Sequence, residues 1–138
     1  MPDQFPFSTE IIIRITDLNY GGHVGNDTFL SLAQEARHRY LQSLGYSELE
    51  FENTSLIMSD AAIEFKNELR QDNKIRISVV AAGFAKYGFD LFYLFEIIAD
   101  SETKTAAKIK TGMLCFDYTT KKLSLLPAAA KEKMEVAG

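Results

Sequence analysis

Thiols are scarce in this chain. One of its 138 residues is cysteine, Cys115, so no intrachain disulfide can form and a Cys-based zinc site would lack most of its ligands. A solitary thiol fits a reducing compartment. Histidine is nearly as scarce: His23 and His38 are the only two, and their separation gives no metal-binding spacing. No apolar run approaches the roughly 20 residues of a membrane helix. The opening Met1-Pro2-Asp3-Gln4-Phe5-Pro6 has neither a basic region nor an apolar core, so no signal peptide is expected. Basic charge is in deficit too, with 15 Lys and Arg against 19 Asp and Glu, a net charge of −4. That balance argues against a sequence-independent nucleic-acid binder and against adhesion to an anionic membrane. The expectation is one cytoplasmic domain spanning 1–138, with no nucleic-acid or membrane partner.

Apolar material is not lacking. Hydrophobic residues make up 46% and charged residues 25%, enough to bury a core without covalent staples. Ser8 to Thr16, with Ile11, Ile12, Ile13 and Ile15, reads as a first strand. From Asp17 to Asn26 three glycines and two asparagines mark a loop of special backbone conformation. Asn26 or Asp27 then caps a helix over 27–44 whose apolar stripe is Phe29, Leu32, Ala33, Ala36 and Tyr40. Gly45 ends it. Strands follow over 56–65, 75–79, 89–98 and 106–118, with Gly88 in a hairpin connection and able to take positive φ, and Gly112 able to accommodate a bulge. A short return over 123–126 and a helix over 128–136 close the chain. Hairpins favour an antiparallel sheet, and one long striped helix needs a sheet to cover it. The fold class is α+β, with the helix in the concave face of a curled sheet.

The segment Asp17-Leu18-Asn19-Tyr20-Gly21-Gly22-His23-Val24-Gly25-Asn26, followed by Phe29 and by Glu35-Ala36-Arg37, resembles the hotdog-fold thioesterases. The likeness is greatest to the branch that includes 4-hydroxybenzoyl-CoA thioesterase and short acyl-CoA thioesterases. The spacing of Ile63, Phe65, Leu69 and Ile75 is similar to that family's second and third strands. The resemblance implies an antiparallel curled sheet wrapped around one long central helix. It implies an acyl-CoA substrate, no metal or other cofactor, and a homodimer or homotetramer with sites at the subunit interface.

Thioester hydrolysis needs an activated water or a carboxylate at the carbonyl, and donors for the oxyanion that develops. The loop feeds a helix N-terminus, so amides from Gly22 through Val24 to Asn26 are candidate substrate-binding donors, Asn26 being the best match to the family's oxyanion donor. The glycines alone are equally consistent with a tight turn. The family's acid stands four residues before the His-Val pair; here that residue is Asn19, and an amide takes no proton from water. Asn19 remains a candidate for orienting water or the carbonyl. Asp17 is a substitute acid or a turn former, and Glu35 is a helix carboxylate or a solvated partner of Arg39. His23 binds substrate or sets the loop. Arg37 falls inside the apolar stripe and calls for a buried partner, Asp17 or Glu64. Lys66, Arg70, Lys74, Arg76 and Lys86 are candidate phosphate partners. Phe89, Phe92, Tyr93 and Phe95 read as core, and Cys115 as a buried, inert thiol. Acyl-thioester hydrolysis is the leading reading. A non-catalytic acyl-thioester binder and hydroxyacyl dehydratase chemistry are the alternatives.

Overall fold

Alternating β-branched and polar residues draw most of this chain into one antiparallel sheet. The computed structural model describes residues 1–136. Strand β1 (Phe7–Ile12) leads through a 3-10 turn (Ile15–Asp17) and the glycine-rich loop to helix α1 (Asn26–Ser43). Strands β2 (Ser55–Phe65), β3 (Lys74–Ala82), β4 (Gly88–Ile98) and β5 (Thr103–Asp117) follow, then β6 (Lys122–Leu123) and helix α2 (Ala128–Val136). The strand order is β1-β3-β4-β5-β2, with β6 against the end of β5. Thus β2 and β1 are the two edges of the path.

Directly paired residues share a face of the sheet. Ile77, Phe95 and Ala107 form one such inward row, Val79, Tyr93 and Ile109 the next. All six are buried against the α1 stripe of Phe29, Leu32, Ala33, Ala36 and Tyr40. Period two thus meets period 3.6 across one core. Phe92 is the exception to the aromatic-core expectation: it lies opposite Val80 and Lys110 on the outer face, half-buried, while Phe89, Tyr93 and Phe95 are inside.

Several local expectations are corrected by the structure. The first strand stops at Ile12 rather than Thr16, because Arg14 and Asp17 close a turn: the Arg14 amide donates to Asp17 Oδ2 at 2.8 Å. The cap of α1 is Gly25, with Asn26 already helical. Gly88 opens β4 and its φ is not positive; it is glycine because a Cβ there would meet the Met113 carbonyl oxygen at 1.9 Å. The positive φ in that hairpin belongs to Gly83, at 59°. The irregularity near Gly112 lies in the facing strand, between Met58 and Asp60. The return after β5 is shorter than 123–126.

Candidate functional site

The loop between the 3-10 turn and α1 is held by its own backbone. Asn19 starts a tight turn in which the Gly22 amide donates to the Asn19 carbonyl at 3.1 Å, with Gly22 at φ 76°. The Asn19 side chain is part of the same turn, its Oδ1 accepting from the Gly21 amide at 2.9 Å. The Asn19 amide donates to the His23 carbonyl at 2.9 Å, and the Val24 amide to the Leu69 carbonyl at 2.8 Å. The last bond, with a bridge between His23 and Arg70, fastens the loop to the segment joining β2 and β3. Val24 turns into the core. Convergence of all the amides from Gly22 to Asn26 is therefore not what forms: that of Gly22 is spent inside the loop and that of Val24 on Leu69.

The start of α1 is different. The first N–H groups of a helix have no intrahelical acceptor and are ordinarily met by a side-chain cap. Gly25 has no side chain to supply one, and no cap bond is made. Among the described residues the amides of His23, Asn26 and Asp27 meet no internal acceptor. Asn26 and Asp27 are exposed, His23 half-buried. Free amides at the positive end of an 18-residue helix suit a developing negative charge.

Around this point the side chains gather unevenly. The His23 ring lies against Gly21, where an added Cβ would be 3.1 Å from Nε2 and 3.4 Å from Asn19 Oδ1. His23 Nδ1 is 3.3 Å from the Val24 carbonyl, and Nε2 is 4.0 Å from Glu68. Asp17 is engaged elsewhere: its carboxylate is buried and bound to the Arg14 amide and guanidinium. Glu35 pairs with Arg39 at 2.9 Å, the solvated alternative of the sequence reading. Asp17 and Glu35 do line one groove of about 550 Å³, together with Thr28, Ser31 and Arg39, but Asn19 and His23 lie outside it.

Arg37 is buried as expected, at 6% exposure, with partners that the sequence did not suggest. Its Nε donates to Glu48 at 2.5 Å and its Nη1 to the Tyr93 hydroxyl at 3.0 Å, which in turn meets Thr111 at 2.8 Å. Neither Asp17 nor Glu64 is its partner. Burial opposes the charge, but Tyr93 and Glu48 outweigh it and raise the Arg37 pKa. This network ties α1 to the sheet and to the segment after the helix, away from the loop. Of the proposed phosphate partners, Arg70 sits beside the loop, paired with Glu68, and Lys66 follows β2, paired with Glu64. Lys74 and Arg76 pair with Glu10 and Glu96 on the outer sheet, and Lys86 lies over the Tyr87 ring at the other end of β3. Cys115 is fully buried, and burial pushes its pKa up to about 11, which keeps it a thiol at neutral pH. Among the described residues no cluster of His, Cys, Asp and Glu is arranged to hold a metal ion. No helix of the described residues is long and apolar enough to cross a membrane.

A sequence model of the thioesterase-like superfamily matches residues 13–134, from just after β1 into α2. The chain belongs to this superfamily. No curated protein matches the sequence significantly. Among solved structures, a thioesterase from Thermus thermophilus, complexed with coenzyme A and zinc, superposes with a TM-score of 0.84 at 20% identity, covering 99% of this chain and 97% of that one. A thioesterase-superfamily protein from Jannaschia sp. CCS1 gives 0.86 at 13% identity, covering 99% and 85%. The 1,4-dihydroxy-2-naphthoyl-CoA thioesterase of Synechocystis gives 0.79 at 20% identity, covering 95% and 93%. These likenesses establish the fold: the thioesterase-like chain is a hotdog, a curled antiparallel sheet around α1.

Proposed function

We propose that this protein hydrolyses an acyl thioester of coenzyme A to the free acid and the thiol. The observation that carries the reading is the uncapped start of α1 in a thioesterase-like chain. The Asn26 amide, at the first helical position, is free beside a loop anchored on both sides, and glycine at the cap leaves the next amide, that of Asp27, free as well. A thioester carbonyl placed there meets a donor that needs no reorganisation as negative charge grows on oxygen. One such donor is worth about 3 kcal/mol of barrier. Asn19 and His23, on the loop that leads to that point, are assigned to orienting the substrate. Lys66 and Arg70, on the segment that the loop rests on, are assigned to the coenzyme A phosphates. The site belongs to a homodimer or homotetramer of a cytoplasmic protein. Incubation with acyl-CoA thioesters of graded chain length, including aromatic acyl groups, while following free thiol, tests the reading. Release above background for at least one is expected; none, from folded protein, ends it.

A second reading has its own support. Asn19 stands where the resembling branch carries an acid, and its side-chain oxygen is occupied by Gly21. A bound thioester then persists, and the protein is a thioester binder. Saturable binding without thiol release separates the two.

A further inference from the structure

Water at the site still needs a group to take its proton, and four carboxylates on the loop, on α1 and on the segment the loop rests on are each committed to a cation. Asp17 is held by Arg14, Glu35 by Arg39, Glu64 by Lys66 and Glu68 by Arg70. Asp27 is the exception. It stands at the second helical position of α1, next to Asn26, exposed, with no ion pair or side-chain hydrogen bond among the described residues. Its carboxylate lies over Gly25: a Cβ on that glycine would be 2.9 Å from Asp27 Oδ1 and 3.7 Å from Asn19 Nδ2. Asp27 and Asn19 therefore flank one face of the backbone that leads to the free Asn26 amide. A side chain at Gly25 would displace the carboxylate from this position.

From this placement we infer that Asp27 is the general base of the site, supplying from the helix start the carboxylate that Asn19 cannot. The inference rests on the hydrolase reading above. In the step, a water oxygen bonds to the thioester carbonyl carbon as Asp27 takes one of its protons. The carbonyl π pair moves onto oxygen and is met by the Asn26 amide. When the pair returns, the carbon–sulfur bond breaks, the thiolate leaves, and the proton on Asp27 passes to sulfur. One water and one thioester give one acid and one thiol, with no other reactant.

The test uses the full chain and whichever acyl-CoA the wild type turns over fastest. Asp27→Asn preserves shape and removes the base. It is expected to lower kcat by about 10²–10⁴-fold, to leave KM within threefold, and to abolish the loss of kcat/KM on acidification. Asn19→Asp in the Asp27→Asn background returns part of the lost rate, because it restores a carboxylate on the same face. Circular dichroism and the denaturation midpoint confirm that each variant is folded. A wild-type kcat retained by Asp27→Asn, or an acid limb that survives in it, overturns the assignment while leaving hydrolysis standing. No turnover of any thioester by the wild type overturns both.

Discussion

Asn19 shows how one side chain separates two functions on the same backbone. Its amide takes no proton, and its oxygen is already bound to Gly21. Asn19→Asp retains that acceptor and adds a charge near the α1 N-terminus, where negative charge is favoured. Thiol release by this variant is expected to equal or exceed that of the wild type; a large loss would show that the amide's N–H groups are needed. Two buried groups make a second residue-level prediction. Burial pushes Cys115 up to about 11 and Tyr40 up to about 12, and the Tyr40 hydroxyl has no partner among the described residues. Both pKa values are raised, so the folded state keeps protons that the unfolded chain gives up. Their contribution to stability is complete below about pH 9 and is lost as pH rises towards about 12, on the order of a few kcal/mol in total. Urea unfolding between about pH 8 and pH 11 should show a falling free energy, and Cys115 should resist thiol reagents until the protein unfolds. A flat profile, or fast labelling of native protein, contradicts this. At this scale the sequence groups Asp17, Asn19 and His23 with the helix start, and the structure brings Asn19 and the His23 ring together over Gly21. The sequence did not show that Asp17 is consumed by Arg14, because that depends on a turn three residues long. Nor did it show that Arg37 reaches Glu48, because charge alone does not say which acid the chain brings close.

The elements were the most legible part of the sequence, since period two and period 3.6 are set by burial on one face. The stripe from Phe29 to Tyr40 marked α1, and the alternation from Ile75 to Val79 marked β3. Ends and glycines were less legible, because a glycine signals either unusual φ or close approach. Gly88, in a hairpin connection, is compatible with the first kind and belongs to the second. Its position gives a contrast with Gly112. A Cβ at Gly88 meets the Met113 carbonyl, part of the adjoining β5 backbone, at 1.9 Å. A Cβ at Gly112 meets Asp60 Oδ1 at the same 1.9 Å, but this is the end of a side chain that can swing away from its Lys110 partner. Gly88→Ala is expected to cost about 3 kcal/mol or more, because β4 and β5 must separate, and Gly112→Ala about 1 kcal/mol. Denaturant midpoints measured side by side decide the point. Equal losses would mean that the strand pair gives more readily than its length implies.

At the level of the molecule, the two free edges of the sheet are unequal. β1 is six residues long, and Arg39 covers it by donating to Thr9 Oγ1 and the Glu10 carbonyl. β2 is eleven residues long and paired on one side only, by β5. From Asp60 to Ala62 its side chains are exposed, and Met58 and Phe65 stay 47% and 45% exposed. A long edge with small residues at its middle is a template for another strand, and native proteins cover such edges. The occupant proposed here is β2 of a second copy. This would join two sheets edge to edge and bring each exposed Phe65, packed on Phe29 at 5.2 Å, against the neighbouring subunit. Ala61 and Ala62 are the place to test it. Both are exposed, so arginine at the two positions leaves the core of each chain intact, while in the pair it sets four cations along one seam. The wild type is expected to sediment as a dimer or a multiple of it. Ala61→Arg combined with Ala62→Arg is expected to sediment as a monomer with unchanged far-ultraviolet dichroism and with reduced thioester turnover, since the resemblance places each site at the seam. A wild type that is monomeric at all concentrations removes the pairing. A monomeric variant with full turnover shows instead that each chain carries a complete site.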